Sequence, residues 1–520
     1  MDKNQIIILG VFGVYLLLMI AIGFIFYKKK MSTSEYMLGG RNLNPWVTAF
    51  SAQASDMSGW LLTGLPGLCC MGIAISSVSG IKEAIFTAIG LLIGTAINWL
   101  FVAKRLRVYT EVASNSITVP SYFENRFDDK KGILQSISGL VILFFFTIYA
   151  ASMFSAGAKL FETIFGLNYH YALLLGAFVI VAYTLLGGFL AVSWTDLVQG
   201  LIMFFALIIV PTLVIKGFTV EEFNALGAIG DALGNLLPKG EESFTVLGII
   251  TALSWGLGYF GMPHILVRFM ATKDKRTIKP ATVIALIWTS ITLACAILIG
   301  IVGRVKLGGS LTDATAETVF MQLVQTSFNP IVAGILLSAI LAAIMSTADS
   351  QLLVASSSFA ENIYKRHLRK DASDKETLFV SRMTIIAVSS VAILLALDPE
   401  SSIFELVQYA WGGFGATFGP LILFSLYFKN IKLSGAIASI VTGAVTTIVW
   451  KYGLAPLGGF FELYELLPGF ILATIALFVG SALDRRPLPA KVESEYNAFI
   501  EKLKTEDNKK QIEAKEESEK

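Results

Sequence analysis

The stretch SAQASDMSGWLLTGLPG, residues 51–67, places a carboxylate inside a segment apolar enough to cross a membrane. The carboxylate belongs to Asp56, and three glycines and a proline follow it in the same stretch. An unpaired carboxylate at that depth costs about 2.5–3.5 kcal/mol on insertion scales, so Asp56 requires a partner. Two interpretations stay open: Asp56 binds a cation directly, or it holds an unwound helical segment by accepting bonds from backbone N–H groups.

A second source of oxygen atoms lies in LLSAILAAIMSTADSQLL, residues 336–353. Four residues of this segment are spaced i, i+3, i+4 and i+7 and share one face of a helix: Ala343, Ser346, Thr347 and Ser350. A single hydroxyl in such a helix usually bonds to the carbonyl four residues before it. Two neighbouring hydroxyls can instead offer oxygens to a hard cation such as Na⁺, together with carbonyls freed near Ala54 and Met57.

Two further carboxylates, Asp196 in SWTDLVQ and Asp349, come close to predicted spans. A carboxylate near the cytoplasmic end of a span reaches water at low cost, so solvated or capping roles are one interpretation. In the other interpretation they belong, with Ser350, to an exit path or a second site for a cation or a proton.

A second interrupted segment, TALSWGLGYFGMPHILVRF at residues 251–269, contains three glycines and Pro263. Pro263 lacks a backbone N–H and crowds the carbonyl four residues before it, so it should end or kink the helix. Irregular backbone at membrane depth persists only where protein or a water-filled cavity satisfies the freed polar groups. This segment and residues 51–67 are therefore predicted to be broken spans.

Aromatic residues flank both breaks: Trp60 follows the first, and Trp255 and Tyr259 lie one turn apart at the second. Rings in membrane proteins usually belong to the interfacial belt or to packing. Beside glycine-rich breaks they can form an apolar cage for a small solute. Tyr149, in the aromatic segment LFFFTIYAAS, belongs either to this cage or to the packed core.

The elements that position these residues follow from composition. The chain has 520 residues, of which 55% are hydrophobic and 15% charged, which is typical of a polytopic membrane protein. Apolar windows of about 19 residues predict about 13 transmembrane helices. The predicted centres are Leu17, Leu61, Leu91, Leu143, Phe178, Phe205, Leu253, Thr289, Leu337, Ala387, Phe414, Thr442 and Leu472.

Basic residues orient the chain. Loops rich in lysine and arginine follow the first, third, seventh, ninth and last spans, and they include residues 28–30, 104–131, 268–279, 365–370 and 485–486. The positive-inside rule then predicts a multi-pass protein of the cell membrane with its N-terminus outside and its C-terminus in the cytoplasm. The charged tail is predicted to be a solvated helix that frays into disorder.

The two broken spans are the second and the seventh, so they are five spans apart and run in opposite directions. A pair of interrupted spans in corresponding places is typical of a transporter built from an inverted repeat, with its site near the bilayer midplane. Five regions are predicted: a peripheral first span and loop (1–45), a first repeat of spans 2–6 (46–216), a second repeat of spans 7–11 (244–428), peripheral spans 12–13 (429–483) and a charged cytoplasmic tail (484–520).

Several function classes are disfavoured. Three scattered histidines support no histidine-based metal site, and no phosphate-binding loop pattern is present, so we expect no enzyme, no cofactor and no nucleic-acid partner. Two alternatives are transporters: a symporter of another small amino acid or a carboxylate, and a proton-coupled carrier using Asp196 and Asp349. A membrane sensor is a third, although a tail of about 36 residues has no room for a catalytic domain.

Six motifs resemble the sodium/proline branch of the sodium:solute symporter family. They are YMLGGRNL (36–43), SAQASDMSGW (51–60), GGFLAVSWTD (187–196), WGLGYFGMPHILVRFMA (255–271), GILLSAILAAIMST (334–347) and YAWGGFGATFGP (409–420). The resemblance implies an all-α membrane protein of thirteen helices with a leucine-transporter-like 5+5 inverted repeat core. It also implies Na⁺-coupled uptake of L-proline.

The resemblance also implies roles for single residues. Na⁺ would be bound by the carbonyls of Ala54, Met57 and Ala343 and the hydroxyls of Ser346 and Thr347, with Asp56 needed for Na⁺ affinity. Proline would be held near Ser58, Trp60, Gly64, Tyr149, Trp255 and Tyr259, with Pro263 shaping the pocket wall. Two positions depart from the family pattern: Gln53 replaces an expected glycine, and Asp349 replaces an uncharged residue.

Overall fold

A computed structural model describes residues 1–26, 31–70, 78–186, 188–234, 236–237 and 245–518, so the basic run Lys28–Lys30 lies outside the described residues. The α-helices are α1 Lys3–Phe26, α2 Thr33–Leu38, α3 Pro45–Asp56, α4 Gly59–Leu62, α5 Gly64–Leu68, α6 Ser79–Ile97, α7 Lys104–Val112, α8 Val119–Phe127, α9 Ile133–Phe165, α10 Tyr169–Leu186, α11 Phe189–Lys216, α12 Val220–Leu233, α13 Val246–Ser254, α14 Pro263–Met270, α15 Ile278–Leu307, α16 Val319–Ser327, α17 Pro330–Phe359, α18 Asp374–Leu395, α19 Ile403–Ser425, α20 Leu433–Val449, α21 Leu466–Leu483 and α22 Ala490–Ser518.

Within these described ranges, nine helical segments are long and apolar enough to cross a membrane, and α13 with α14 forms a tenth, bent by 42°. Helix α10 is apolar but shorter. Each of the thirteen predicted span centres falls on a helix, including α3–α5 and α19. The all-helical, polytopic prediction is confirmed, whereas the exact number of spans stays a prediction.

Helix α17 occupies the centre of the bundle. Of its most apolar window, 83% is buried inside the protein, against 22% for α1. It packs against α9, α11, α3 and α1. Its small residues between 333 and 358 fit that place, because neighbouring backbones approach it closely.

The second span is broken where the sequence predicts it. Helix α3 ends at Asp56, Met57 and Ser58 leave the helical conformation with ψ angles of 67° and −162°, and α4 begins at Gly59. The seventh span continues from α13 as a 3₁₀ segment, Trp255–Phe260, and restarts as α14 at Pro263. Proline is tolerated there because the first turn of a helix uses no N–H of its own.

The third and seventh spans cross at glycines. A Cβ at Gly94 would overlap the carbonyl of Gly256, so Gly94→Ala should lower stability by roughly 1–3 kcal/mol through overpacking. Thermal unfolding of the purified protein measures this. Gly10→Ala in α1 is the control, since a Cβ there meets no atom within 4 Å. Equal midpoints for the two variants would contradict this description of the crossing.

The tail forms a helix, as predicted, but its first half is not simply solvated. Val492, Tyr496 and Phe499 lie on one face of α22 and are buried. Phe499 stacks on Tyr109 of α7 with ring centroids 4.3 Å apart. The expectation of a plain solvated tail is therefore wrong for this half, because a short apolar stripe at helical spacing docks it on the bundle.

Candidate ion and solute site

The carbonyl of Ala54, two residues before the first break, is the meeting point of α3 and α17. The Ser346 hydroxyl donates to it at 2.8 Å and the Thr347 hydroxyl at 3.4 Å. Ser346 Oγ also lies 3.3 Å from the carbonyl of Ala343. The structure thus brings four predicted ion ligands together. Met57 is buried at the break, but among the described residues no hydrogen bond connects it to the two hydroxyls.

The chemistry of this cluster suits a hard cation. Its facing polar atoms are all oxygens, from two carbonyls and two hydroxyls, and each of the four residues is fully buried. Hydroxyl and carbonyl oxygens without nitrogen or sulfur select ions such as Na⁺ over softer metals. Because a hydroxyl both donates and accepts, it can turn a lone pair toward an ion.

The Asp56 carboxylate forms a hydrogen bond with the other broken span. Its Oδ2 accepts a hydrogen bond of 2.8 Å from the Tyr259 hydroxyl on the seventh span. Its Oδ1 has no hydrogen-bond partner among the described residues, although the side chain is fully buried. The carboxylate therefore holds the two breaks together through a phenol, not through the backbone N–H groups that one interpretation expected.

Gln53, the first departure from the family pattern, is also a link between spans. Its side chain donates to the Thr289 hydroxyl of α15 and accepts from the Trp99 indole N–H at 3.3 Å. The side chain is buried, and both the nitrogen and the oxygen of its amide group have hydrogen-bond partners. The amide thus fastens α3 to the third and eighth spans one turn before the break.

The predicted solute residues face one another across the two breaks. The rings of Trp60 and Trp255 lie 6.3 Å apart, and the hydroxyls of Ser58 and Tyr149 lie 3.4 Å apart. Each of these aromatic side chains is at most 2% exposed. Tyr149 therefore belongs to the buried centre that holds both breaks.

Three rings that the sequence analysis did not single out complete this wall: Phe404, Trp411 and Tyr464. Trp411 donates its indole N–H to the Trp255 carbonyl at 2.8 Å and packs edge-on against Tyr259 at 5.0 Å. In the sequence, the glycine-rich run around Trp411 in α19 is the feature that could have indicated its place in the wall, because glycines in a span let neighbouring helices approach closely. Gly64 lies against Phe404, where a Cβ would come within 3.3 Å of the Phe404 side chain.

Pro263 lies apart from the other predicted solute residues. It is buried and lines a narrow cavity with Ile142, Val267 and Val354. None of the cage rings lines that cavity. Its observed part in the site is to start α14 directly after the second break, so its predicted contact with the solute stays a prediction.

Asp196 and Asp349 are not solvated, which corrects the first interpretation of them. Both are fully buried, and Arg268 of α14, which the sequence predicts to be a basic loop residue, is buried between them. The guanidinium lies 3.2 Å from Asp196 Oδ2 and also donates to the Ser350 hydroxyl. Ser51 joins this group, donating to Asp196 at 2.6 Å.

This buried cluster has more carboxylates than cations. Asp349 reaches the group through Ser350, whose hydroxyl lies 3.4 Å from Asp349 Oδ1. Asp196 Oδ1 and Asp349 Oδ2 have no hydrogen-bond partner among the described residues. One guanidinium therefore balances two carboxyl groups, one turn of α3 away from Ala54 and one turn of α17 away from Ser346.

Solved structures share this arrangement of helices. A Na⁺-coupled sialic acid symporter in a substrate-bound outward-open state matches with a TM-score of 0.76 at 19% identity, over 92% of this chain and 98% of the other. A nucleobase-cation-symport-1 family transporter in a closed conformation matches with a TM-score of 0.51 at 14% identity, over 90% and 99%. The fold is that of the leucine-transporter-like secondary transporters.

Sequence comparison then identifies the family. The model of the sodium:solute symporter family matches residues 36–443. The sodium/proline symporter of Escherichia coli is 48% identical over 92% of this chain and 93% of its own length. The high-affinity proline transporter PutP of Bacillus subtilis is 47% identical, over 92% and 99%. The osmoregulated proline transporter OpuE of the same species is 43% identical, over 94% and 97%. The chain belongs to the sodium:solute symporter family.

Proposed function

We propose that this protein carries L-proline into the cell together with Na⁺ by alternating access, and that it is not an enzyme. The observation that carries the proposal is the Ala54 carbonyl, shared by the Ser346 and Thr347 hydroxyls beside the break at Asp56. The names of relatives at 43–48% identity supply the solute. Such identity over nine-tenths of the chain covers both broken spans.

The proposed Na⁺ ligands are the carbonyls of Ala54, Met57 and Ala343 and the hydroxyls of Ser346 and Thr347. The burial of these residues and their convergence on the break support the assignment. Asp56 supplies the negative charge. The carboxylate is fully buried, and its Oδ1 accepts no hydrogen bond from the residues that the structure describes, so it has a lone pair to offer a cation.

The proposed proline site lies between the two breaks. Trp60, Trp255 and Tyr259 give the apolar walls that a pyrrolidine ring needs, while Ser58 and Tyr149 supply hydroxyls. The proline carboxylate would lie at the first break, within reach of the Ser58 and Tyr149 hydroxyls. Gly64 keeps that wall close to Phe404, and Pro263 fixes where α14 begins.

The transport cycle follows from these contacts. Na⁺ bound between α3 and α17 holds the end of α3 in place, which completes the wall that proline contacts. Because binding free energies are linked, proline must strengthen Na⁺ binding by the same factor. A membrane potential of about 100 mV adds roughly 2.3 kcal/mol for each charge carried inward.

The two repeats, spans 2–6 (46–216) and 7–11 (244–428), are proposed to rock against each other, with 1–45 and 429–483 peripheral. The position of α1 at the periphery supports this division. We place the protein in the cell membrane with its N-terminus outside and the tail, 484–520, in the cytoplasm. The basic loops after odd-numbered spans support that orientation.

Asp196, Asp349 and Ser350 are proposed to form an exit path or a second cation site. The excess of one carboxyl group over the Arg268 guanidinium supports this role. The same observation favours the second candidate function, coupling to H⁺, because a buried carboxyl group that lacks a cationic partner can carry a proton.

Uptake of labelled proline into proteoliposomes, with Na⁺ and H⁺ gradients imposed separately, tests the proposal. We expect an inward Na⁺ gradient to drive accumulation, and a pH gradient without Na⁺ to drive none. Labelled alanine and labelled acetate serve as control solutes, which test whether uptake is specific for proline. Uptake that followed the pH gradient and ignored Na⁺ would overturn the ion assignment, and equal uptake of alanine would overturn the solute.

A further inference from the structure

The face of the bundle that carries α22 contains a basic cavity of about 480 Å³. It lies between the end of α7, the loop after α14 and the tail helix. Five cationic residues line it: Arg107, Lys273, Lys275, Arg276 and Lys502. Two anionic residues line it as well: Glu111 and Asp274. The lining therefore carries three more positive than negative groups.

The two acidic residues already have partners. Glu111 accepts from Arg107 at 2.7 Å and from Lys502 at 2.6 Å. Asp274 accepts from the N–H and the hydroxyl of Thr277 at 2.9 and 3.0 Å. Burial alone would raise the pKa of Asp274, but the bonds from Thr277 lower it below its usual range, so this carboxylate stays ionised. The lining therefore keeps an excess of three positive charges even with Glu111 and Asp274 both ionised.

The backbone that shapes the cavity is held firmly. Arg107 is buried and donates to the carbonyls of Thr272 and Lys273 at 2.7 and 3.0 Å. The N–H of Lys273 donates to the Leu43 carbonyl at 3.1 Å, just before α3. The loop after α14 is thus fixed from two sides, while the side chain of Lys273 stands at the exposed rim.

The position of the cavity along the third span points to the membrane surface. Leu100 and Phe101 are 59% and 53% exposed on the outside of the bundle. They precede Arg107 by about two helical turns, or roughly 10 Å along the axis. An acyl chain lying on these two side chains would bring its headgroup to the level of the cavity.

We propose that this cavity binds a phosphate-bearing anion, and that its occupant is the headgroup of an anionic phospholipid. Basic pockets between membrane helices on the cytoplasmic side are suited to such headgroups, and each nearby Lys or Arg strengthens the attraction. Because α22 supplies Lys502 and Thr505 to the lining, the bound headgroup would also hold the tail helix against α7.

Native mass spectrometry of the full-length protein, titrated in mixed micelles, tests this. We expect phosphatidylglycerol to bind in preference to phosphatidylcholine. In Lys273→Gln/Lys502→Gln, phosphatidylglycerol should bind roughly tenfold or more weakly, because two attracting charges are lost. Lys130→Gln/Lys131→Gln is the matched control, since both lysines are exposed on a basic loop outside the cavity lining, and its binding should not change.

Thermal unfolding in phosphatidylcholine checks that both double variants fold, and equal midpoints are expected. The absence of a preference for phosphatidylglycerol in the wild type would overturn the proposal, and so would equal weakening in the two double variants. Glycerol phosphate, added at the same concentration as the lipid, should not displace phosphatidylglycerol. If it did, the occupant would be a free phosphate ester and the lipid assignment would be wrong.

Discussion

Replacing Asp56 with asparagine should raise the Na⁺ concentration needed for half-maximal proline uptake by roughly a hundredfold or more. The carboxylate is fully buried, and removing one member of a buried charge pair costs roughly 3–5 kcal/mol. Asparagine keeps the size of the side chain and its capacity to accept from Tyr259, so the charge is the principal loss. Proteoliposome uptake at saturating proline, measured across a series of Na⁺ concentrations, gives the number.

Tyr259→Phe separates direct Na⁺ binding by Asp56 from a role limited to holding the break through Tyr259. The variant removes the 2.8 Å hydrogen bond that holds the carboxylate but leaves its charge in place. If Asp56 ligates Na⁺, we expect Tyr259→Phe to change the Na⁺ requirement much less than Asp56→Asn does. Equal effects from both variants would show that Asp56 acts only by holding the break, and the direct role would be rejected.

The second large effect should come from removing both hydroxyls of α17. In Ser346→Ala/Thr347→Ala, two ion ligands are lost, each contributing about 1–1.5 kcal/mol, so the Na⁺ requirement should rise by a factor of roughly 30 to 160. Maximal uptake at high Na⁺ should fall less, because the aromatic cage is unchanged. The same uptake assay measures both quantities.

Ser338→Ala provides the matched control in the same helix. The Ser338 hydroxyl is buried, like those of Ser346 and Thr347, but it donates to the Gly334 carbonyl at 2.8 Å, within its own helix. Its loss should leave the Na⁺ requirement unchanged. An unaltered Na⁺ dependence in the double variant would contradict the proposed oxygen cluster, whatever the result for Ser338→Ala.

Local patterns predicted the centre of this molecule well. A carboxylate within an apolar segment placed a break at Asp56, and helical spacing placed Ser346 and Thr347 on one face. The second break was predicted next to Pro263, because a proline residue lacks the backbone N–H that would continue the helix. The structure has both breaks, and it joins Ala54 to the two hydroxyls. These predictions succeed because lipid cannot satisfy freed backbone groups or a carboxylate, so helix breakers and a charge inside an apolar segment indicate a protein-lined site.

The parts that sequence reasoning missed depend on contacts between distant residues. Arg268 near the end of a span reads as a loop cation, and only the packing of α14 against α3 and α17 buries it beside Asp196. The partner of Asp56 is 203 residues away in the chain. In the tail, Val492, Tyr496 and Phe499 keep helical spacing, a signal that the high charge of the surrounding residues obscures.

Tyr259 takes part in both halves of the site. Its hydroxyl donates to Asp56, while its ring packs edge-on against Trp411 in the cage. A symporter dissipates its gradient whenever an ion slips across without solute, so tight coupling requires that each site sense the occupancy of the other. Tyr259 is one direct link between the proposed ion site and the proposed solute site, beside the unwound residues Met57 and Ser58 that adjoin both. A phenol fixed at both its hydroxyl and its ring ties the geometry of the ion site to that of the cage, so loosening either contact should increase leak of Na⁺ without solute.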